Sequence, residues 1–183
     1  GGESKLLGDG FHLQPLCQAL PHRNRAARDR KNQWMLPPVC IQCLGQQVGC
    51  LVAGTQKFAD AYKAGNDDPA RALYAPTRAY WESIEPVAES FGDLDPRLDL
   101  READLEAGQE WTGWHQIEKQ LWPPADFTEI DTPEERAKMA DQLVADTQDL
   151  ATRVESVTFK ADQLGNGAKE LLDEVATGKV TGE

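Results

Sequence analysis

The chain has 183 residues, 40% hydrophobic and 27% charged, enough to bury a core in one domain or in one domain plus an appendage. Its net charge of −12 repels phosphate backbones, which argues against a nucleic-acid binder and favours cations as ligands. No apolar run approaches the roughly 20 residues of a membrane helix, so an integral membrane protein is not expected.

The charge is uneven. Residues 1–50 carry six Lys and Arg against three Asp and Glu, whereas residues 51–183 carry 13 against 28. Residues 1–45 show no sustained helical or strand period, and Pro15, Pro21, Pro37 and Pro38 interrupt their apolar stretches. An irregular basic extension is expected there, with Arg23, Arg25, Arg28, Arg30 and Lys31 as a solvated arm. Cys40 and Cys43 have C-x-x-C spacing, and Cys50, Cys17, His12 or His22 are available as further zinc ligands. The spacing follows no regular zinc pattern, however, and no α/β context accompanies a redox C-x-x-C. A Cys40–Cys43 disulfide would close too short a loop to stabilise much. Cys40 and Cys43 are therefore expected to be dispensable for the acidic part, and the role of Cys17, Cys40, Cys43 and Cys50 is left open.

From residue 46 onward helix formers dominate. Residues 46–64 place Val48, Leu51, Val52, Phe58, Ala59 and Tyr62 largely on one side, and Gly65 is a stop signal. Asp67 or Asp68 caps the next helix, with Pro69 in its first turn. That helix runs to about Ser90, and Pro76 and Pro86 should kink or break it. A turn-rich loop is expected over 92–99, then a helix from about Thr112 to Trp122, ended by Pro123 and Pro124. Thr132-Pro133-Glu134-Glu135 is a capping box. Behind it Ala140, Leu143, Thr147, Leu150, Val154, Val157, Ala161 and Leu164 recur at spacings of three and four, the seam of a packed helix. A last helix is expected from about Gly167 to Thr177. The fold class that follows is all-α, an antiparallel helical bundle over 46–183.

The chain contains no G-x-G-x-x-G, no P-loop, no H-E-x-x-H and no G-x-S-x-G. What remains is His115, the one histidine of the acidic part, with Glu118 three residues on and so on the same helical face. Glu82, Glu85 and Glu89 form an acidic stripe on the preceding proline-broken helix. One imidazole with carboxylate oxygens from two helices suits iron, manganese or zinc. The candidate metal ligands are His115, Glu118, Glu82 and Glu85. Asp93 reads as a turn residue, Asp95 and Asp99 are left open, and Arg78 and Arg101 can hold the carboxylates in place.

The run from Tyr80 to Pro96, with Glu82, Ile84-Glu85-Pro86-Val87-Ala88-Glu89 and Phe91-Gly92-Asp93-Leu94-Asp95-Pro96, resembles the YExIEPVAExFGDLDP signature of EfeO/EfeM-type proteins of the imelysin-like family. Gly113-Trp114-His115-Gln116-Ile117-Glu118 resembles that family's GxHxxE motif, and Glu174 to Glu183 resembles its EVAxxKITGEE stretch. Three ordered motifs carry the match over about 46–183. The resemblance implies a periplasmic or envelope-associated, non-enzymatic metal-binding component of an EfeUOB-type iron uptake system. An inner-membrane iron permease and a haem-type peroxidase would be its partners, and iron, ferrous or ferric, its ion. It implies His115 and Glu118 as ligands, with Glu82 and Glu85 from the neighbouring helix. Family members carry two related bundle halves, so the chain is expected to correspond to the first half, as a truncated member. Residues 1–45 resemble neither a signal peptide nor a cupredoxin-like domain. The rival expectations are an imelysin-type metallopeptidase, which needs an open metal position and a nearby general base, and a helical domain that binds partners without metal.

Overall fold

The computed structural model describes residues 27–28, 34–35, 38–128, 131–157 and 161–179. They form an all-α bundle: α1 (Pro38–Lys63), α2 (Asp67–Glu82), α3 (Leu94–Asp99), α4 (Trp114–Leu121), α5 (Pro133–Ser156) and α6 (Ala161–Glu174). A 3₁₀ segment (Glu85–Phe91) joins α2 to α3, and a π turn (Val175–Lys179) follows α6. A two-residue antiparallel ribbon pairs Ala27 with Met35 and Arg28 with Trp34.

Helix α1 starts ahead of the expected Gln46, with Pro38 in the first turn, where its missing N–H costs nothing. Cys43 on α1 is a free thiol, so the Cys40–Cys43 bridge does not form, and Cys50 is disulfide-bonded and not available as a thiolate ligand. Cys17, His12 and His22 lie outside the described residues. α1 packs between α2 and α5. Its face buries Val48, Leu51, Phe58, Ala59 and Tyr62 as the period requires. At Gly54 a Cβ would come within 2.7 Å of the Thr77 side chain, so a small residue allows α1 and α2 their close approach.

Helix α2 runs unbroken through Pro76, so of the two prolines only Pro86 marks a break. Pro76 and Ala72 are both exposed, so the carbonyl that the proline leaves without a donor faces water. The break comes after Glu82, where Pro86 disfavours α geometry in the residue before it and the chain tightens to 3₁₀. The loop expected over 92–99 contains α3 instead. Its Leu94 and Leu98, four residues apart, are both fully buried, and this tertiary packing holds a helix too short to stand alone.

The capping box at Thr132 is formed: Glu135 N–H donates to Thr132 Oγ1 (3.3 Å), and Thr132 N–H donates to Glu135 Oε2 (2.7 Å). The seam is buried at Ala140, Leu143, Thr147, Leu150 and Val154. It does not continue as one helix to Leu164. Val157 is extended, because Val157-Thr158-Phe159 strings together β-branched and aromatic residues that lose side-chain freedom in a helix. The side chains of Ala161 and Leu164 lie outside the described set. α6 starts at Ala161, earlier than expected, and packs on the 3₁₀ segment. The core is rich in aromatics: Phe58 and Trp114 have ring centroids 5.1 Å apart, and Tyr74 meets Trp114 edge-on at 5.7 Å.

Asp146, on the buried side of α5, is wholly inaccessible. It accepts from Arg97 and from Gln142 Nε2 (2.9 Å). Arg97 also reaches Asp93 (3.1 Å), and Arg153 ties Asp93 (2.6 Å) to the Phe91 carbonyl (2.7 Å). This chain of ions clamps the ends of α3 to α5. Hydrogen bonds from Arg153 and Arg97 hold the Asp93 carboxyl down to a pKa of about 2. A depressed folded-state pKa gives stability that is present above the unfolded value of about 3.9 and is lost as pH falls towards about 2. Thermal unfolding between pH 5 and pH 2 should therefore show a smaller acid loss for Asp93→Asn than for the wild type. The difference should shrink in high salt, because Asp93 is exposed.

Candidate metal centre

Helix α2 carries Tyr74, Arg78, Trp81 and Glu82 at helical spacing, with Tyr74 and Trp81 buried against the core. Across from it α4 buries Trp114, Ile117 and Leu121, which leaves His115 and Glu118 at the edge of the contact. Gly113 sets the entry to α4. Its φ of +91° suits glycine, and a Cβ there would lie 2.2 Å from the Leu98 carbonyl oxygen. The chain entering α4 thus lies against the end of α3. Thr112 Oγ1 donates to the Arg97 carbonyl (2.8 Å), and Trp111 Nε1 donates to the Leu100 carbonyl (2.7 Å). The result brings Asp99, the last residue of α3, beside His115.

Asp99 is the hub. Arg78 grips it with both guanidinium nitrogens, Nη1 on Oδ1 and Nη2 on Oδ2 (3.1 Å), and Trp81 Nε1 donates to Oδ2 (2.9 Å). Arg78 Nη2 also meets Glu82 Oε1 (2.7 Å). His115 Nε2 lies 3.4 Å from Asp99 Oδ1, and its Nδ1 lies 2.7 Å from Glu118 Oε2. The His115 hydrogen bond holds the Glu118 carboxyl below its ordinary pKa, against the opposing effect of partial burial. Burial raises the Tyr74 hydroxyl well above its ordinary value, so it stays protonated.

A cavity of about 270 Å³ opens beside this group, lined in part by Arg78, Glu85, Asp95, Asp99, Arg101 and His115. The sequence-derived residues divide on it. His115 and Glu85 share the cavity wall; Glu82 is turned onto Arg78, and Glu118 sits at the other nitrogen of the imidazole. Asp99, which sequence reasoning left open, is the carboxylate nearest His115 Nε2. Nothing in its turn-like context marks it, since only the docking of α3 on α5 and α4, with Arg78 and Trp81 reaching it from α2, brings it there. Among the described residues no three His, Cys, Asp or Glu side chains gather closely enough to hold an ion as they stand.

A helical bundle with an imidazole set among carboxylates where three of its helices meet is the class of protein defined so far. The imelysin family model (Peptidase M75) matches residues 43–183, and the chain belongs to that family. It is 43% identical over 136 residues to an iron uptake system component EfeM of Pseudomonas syringae, covering 73% of this chain and 46% of the relative. It is equally identical over 136 residues to an iron uptake system component EfeO of Escherichia coli, covering 73% of this chain and 35% of that protein. A lipoprotein of the EfeM/EfeO family from Staphylococcus haemolyticus is 41% identical over 140 residues, 75% of this chain and 47% of the relative. The chain thus spans between a third and a half of the length of these relatives.

Two substitutions test the architecture. Gly113→Ala should lower stability in urea unfolding by clearly more than Gly65→Ala. Both glycines have positive φ, worth about 1 kcal/mol each, but a Cβ at Gly65 meets open space whereas one at Gly113 meets backbone. Arg78→Met should cost about 3 kcal/mol, the scale for removing one member of a buried ion pair, because Asp99 is only 14% exposed and would keep its charge without its main partner. The double variant with Asp99→Asn should cost much less than the two single losses added together.

Proposed function

We propose that this chain is the cation-binding part of an iron uptake component of the bacterial envelope, with iron as cargo rather than as a catalytic cofactor. The observation that carries the reading is the 3.4 Å separation of His115 Nε2 and Asp99 Oδ1 on the wall of an acidic cavity. Two donors on one ion, with bonds of about 2.0–2.2 Å and angles between octahedral and tetrahedral, stand about 3.0–3.5 Å apart. The spacing therefore suits a shared ion without backbone movement. Glu85 supplies a further carboxylate across the cavity, and Glu82 is within reach of the same corner once Arg78 yields it. Oxygen-rich ligation with one imidazole suits ferrous or ferric iron, with manganese or zinc as alternatives.

The reading of localisation and partners is supported by the relatives' names. The relatives' names place them in iron uptake, and one is named a lipoprotein. No helix of the described residues is long and apolar enough to cross a membrane. A periplasmic or envelope-tethered carrier fits both, delivering iron to an inner-membrane permease and working with a haem-type peroxidase. The peptidase reading draws on the family model's name. It needs an open metal position with a general base beside it. A domain that binds only protein partners would show no metal binding at all.

Calorimetric titration with ferrous, ferric, manganese and zinc ions should give saturable binding that weakens as pH falls, since protonated ligands cannot hold metal. His115→Ala should remove most of it. Equal binding in both proteins takes His115 out of the site. Metal-dependent peptide cleavage abolished by Glu118→Gln overturns the carrier reading in favour of a peptidase.

A further inference from the structure

We infer that Glu118 is a positioning residue, which acts on the ion through the His115 ring and does not touch it. This inference rests on the metal reading of the cavity. An imidazole has two nitrogens on opposite edges, and in the neutral ring one carries the proton while the other offers a lone pair. Glu118 Oε2 stands 2.7 Å from Nδ1, a full-strength hydrogen bond. The carboxylate can only accept, so Nδ1 must donate to it. The lone pair is thereby assigned to Nε2. That nitrogen faces Asp99 Oδ1 at 3.4 Å, longer than a normal N–H···O bond.

The two edges of the ring meet different surroundings. The cavity that holds Glu85, Asp95, Asp99 and Arg78 is also lined by His115 but not by Glu118. Glu118 shares with His115 a shallower hollow on the other side, together with Trp122 and Lys119. One oxygen cannot be a ligand beside Nε2 while it accepts from Nδ1 across the ring. Asp99 is likewise fixed from behind: Oδ2 takes Trp81 Nε1 and Arg78 Nη2, while Oδ1 takes Arg78 Nη1 and also faces the imidazole. The three-residue spacing from His115 to Glu118 then has a purpose of its own. On one helical face it presents a carboxylate to the ring's inner nitrogen, the arrangement by which an outer carboxylate fixes the tautomer and raises the basicity of a ligating histidine.

The test compares wild type, Glu118→Gln, Glu118→Ala and His115→Ala. It uses zinc as a diamagnetic probe and ¹⁵N spectra of the imidazole in the metal-free protein, at a pH where the ring is neutral. Glu118 is 40% exposed but also interacts with the buried Tyr74 hydroxyl, so thermal unfolding of each variant checks that the fold is kept. In the wild type His115 should carry its proton on Nδ1. Glutamine still offers an acceptor oxygen to Nδ1, so Glu118→Gln should keep that tautomer and lose less than about tenfold in zinc affinity. Glu118→Ala should show mixed tautomers and bind about 10–100-fold more weakly, the usual effect of losing such a partner. His115→Ala should abolish binding. An Nε2–H tautomer in the wild type overturns the inference. So does a Glu118→Gln variant that retains the tautomer but binds zinc as poorly as His115→Ala, since that marks Glu118 as a direct ligand. A wild type that binds no zinc, iron or manganese at all overturns the metal reading, and the positioning role with it, whatever the tautomer.

Discussion

The grip of Arg78 on Asp99 is the interaction on which this corner of the molecule depends. It joins the middle of α2 to the end of α3, and both side chains are only 14% exposed, so salt screens the pair far less than a surface contact. A guanidinium never gives up its proton in a protein, and its planar fork matches a carboxylate edge to edge. Arg78 can therefore hold Asp99 and Glu82 next to each other, where two bare carboxylates would repel. The buried Trp81, one helical turn along, adds its indole N–H to the same carboxylate, and this ties the acid to the hydrophobic core. A cation of the protein's own thus occupies the acidic corner and keeps it assembled.

The second ionic cluster has a different character. Asp146, Arg97, Asp93 and Arg153 form a line across the α3–α5 contact, and its innermost acid is fully buried with both an arginine and a glutamine amide on it. Its acids are held by arginines, and the second oxygen of Asp146, Oδ2, is buried without a hydrogen-bond partner among the described residues. The cluster fastens the short helix α3, whose own six residues could not hold their shape. Since α3 ends in Asp99, this clamp also supports the candidate site from behind. Fold and site therefore share one support: α3 is kept in place by Arg153 on one side and by Arg78 on the other.

Much of the bundle was legible because helical faces are written locally. Most of the buried face of α1, that of α5 as far as Val154, the Thr132 capping box and the stop at Trp122 follow from local sequence. Proline was the unreliable guide. Pro76 and Pro86 look alike in sequence, but Pro76 lies on a wet face, where a lost hydrogen bond is replaced by water, and Pro86 opens the 3₁₀ segment. The seam that ran on past Val157 is interrupted, because periodic apolar positions do not by themselves outweigh a β-branched run. Aspartates and glycine around α3 spelled a loop, and only the burial of Leu94 and Leu98 made it a helix.

The sequence alone determined the acidic, helical character of the chain, its family and the two motifs that frame the site, because composition, period and short spacings are properties of neighbouring residues. It also singled out His115 and Glu118 as a pair on one helical face. Which nitrogen of His115 meets which acid was decided by the tertiary structure. So was the replacement of Glu82 by Asp99 as its nearest carboxylate on the cavity side. The reason is physical: Asp99 lies 16 positions before His115, and no local rule relates them. They meet because Gly113 lets the chain turn close against α3, and because Arg78 draws Glu82 aside while it aims Asp99 at the ring.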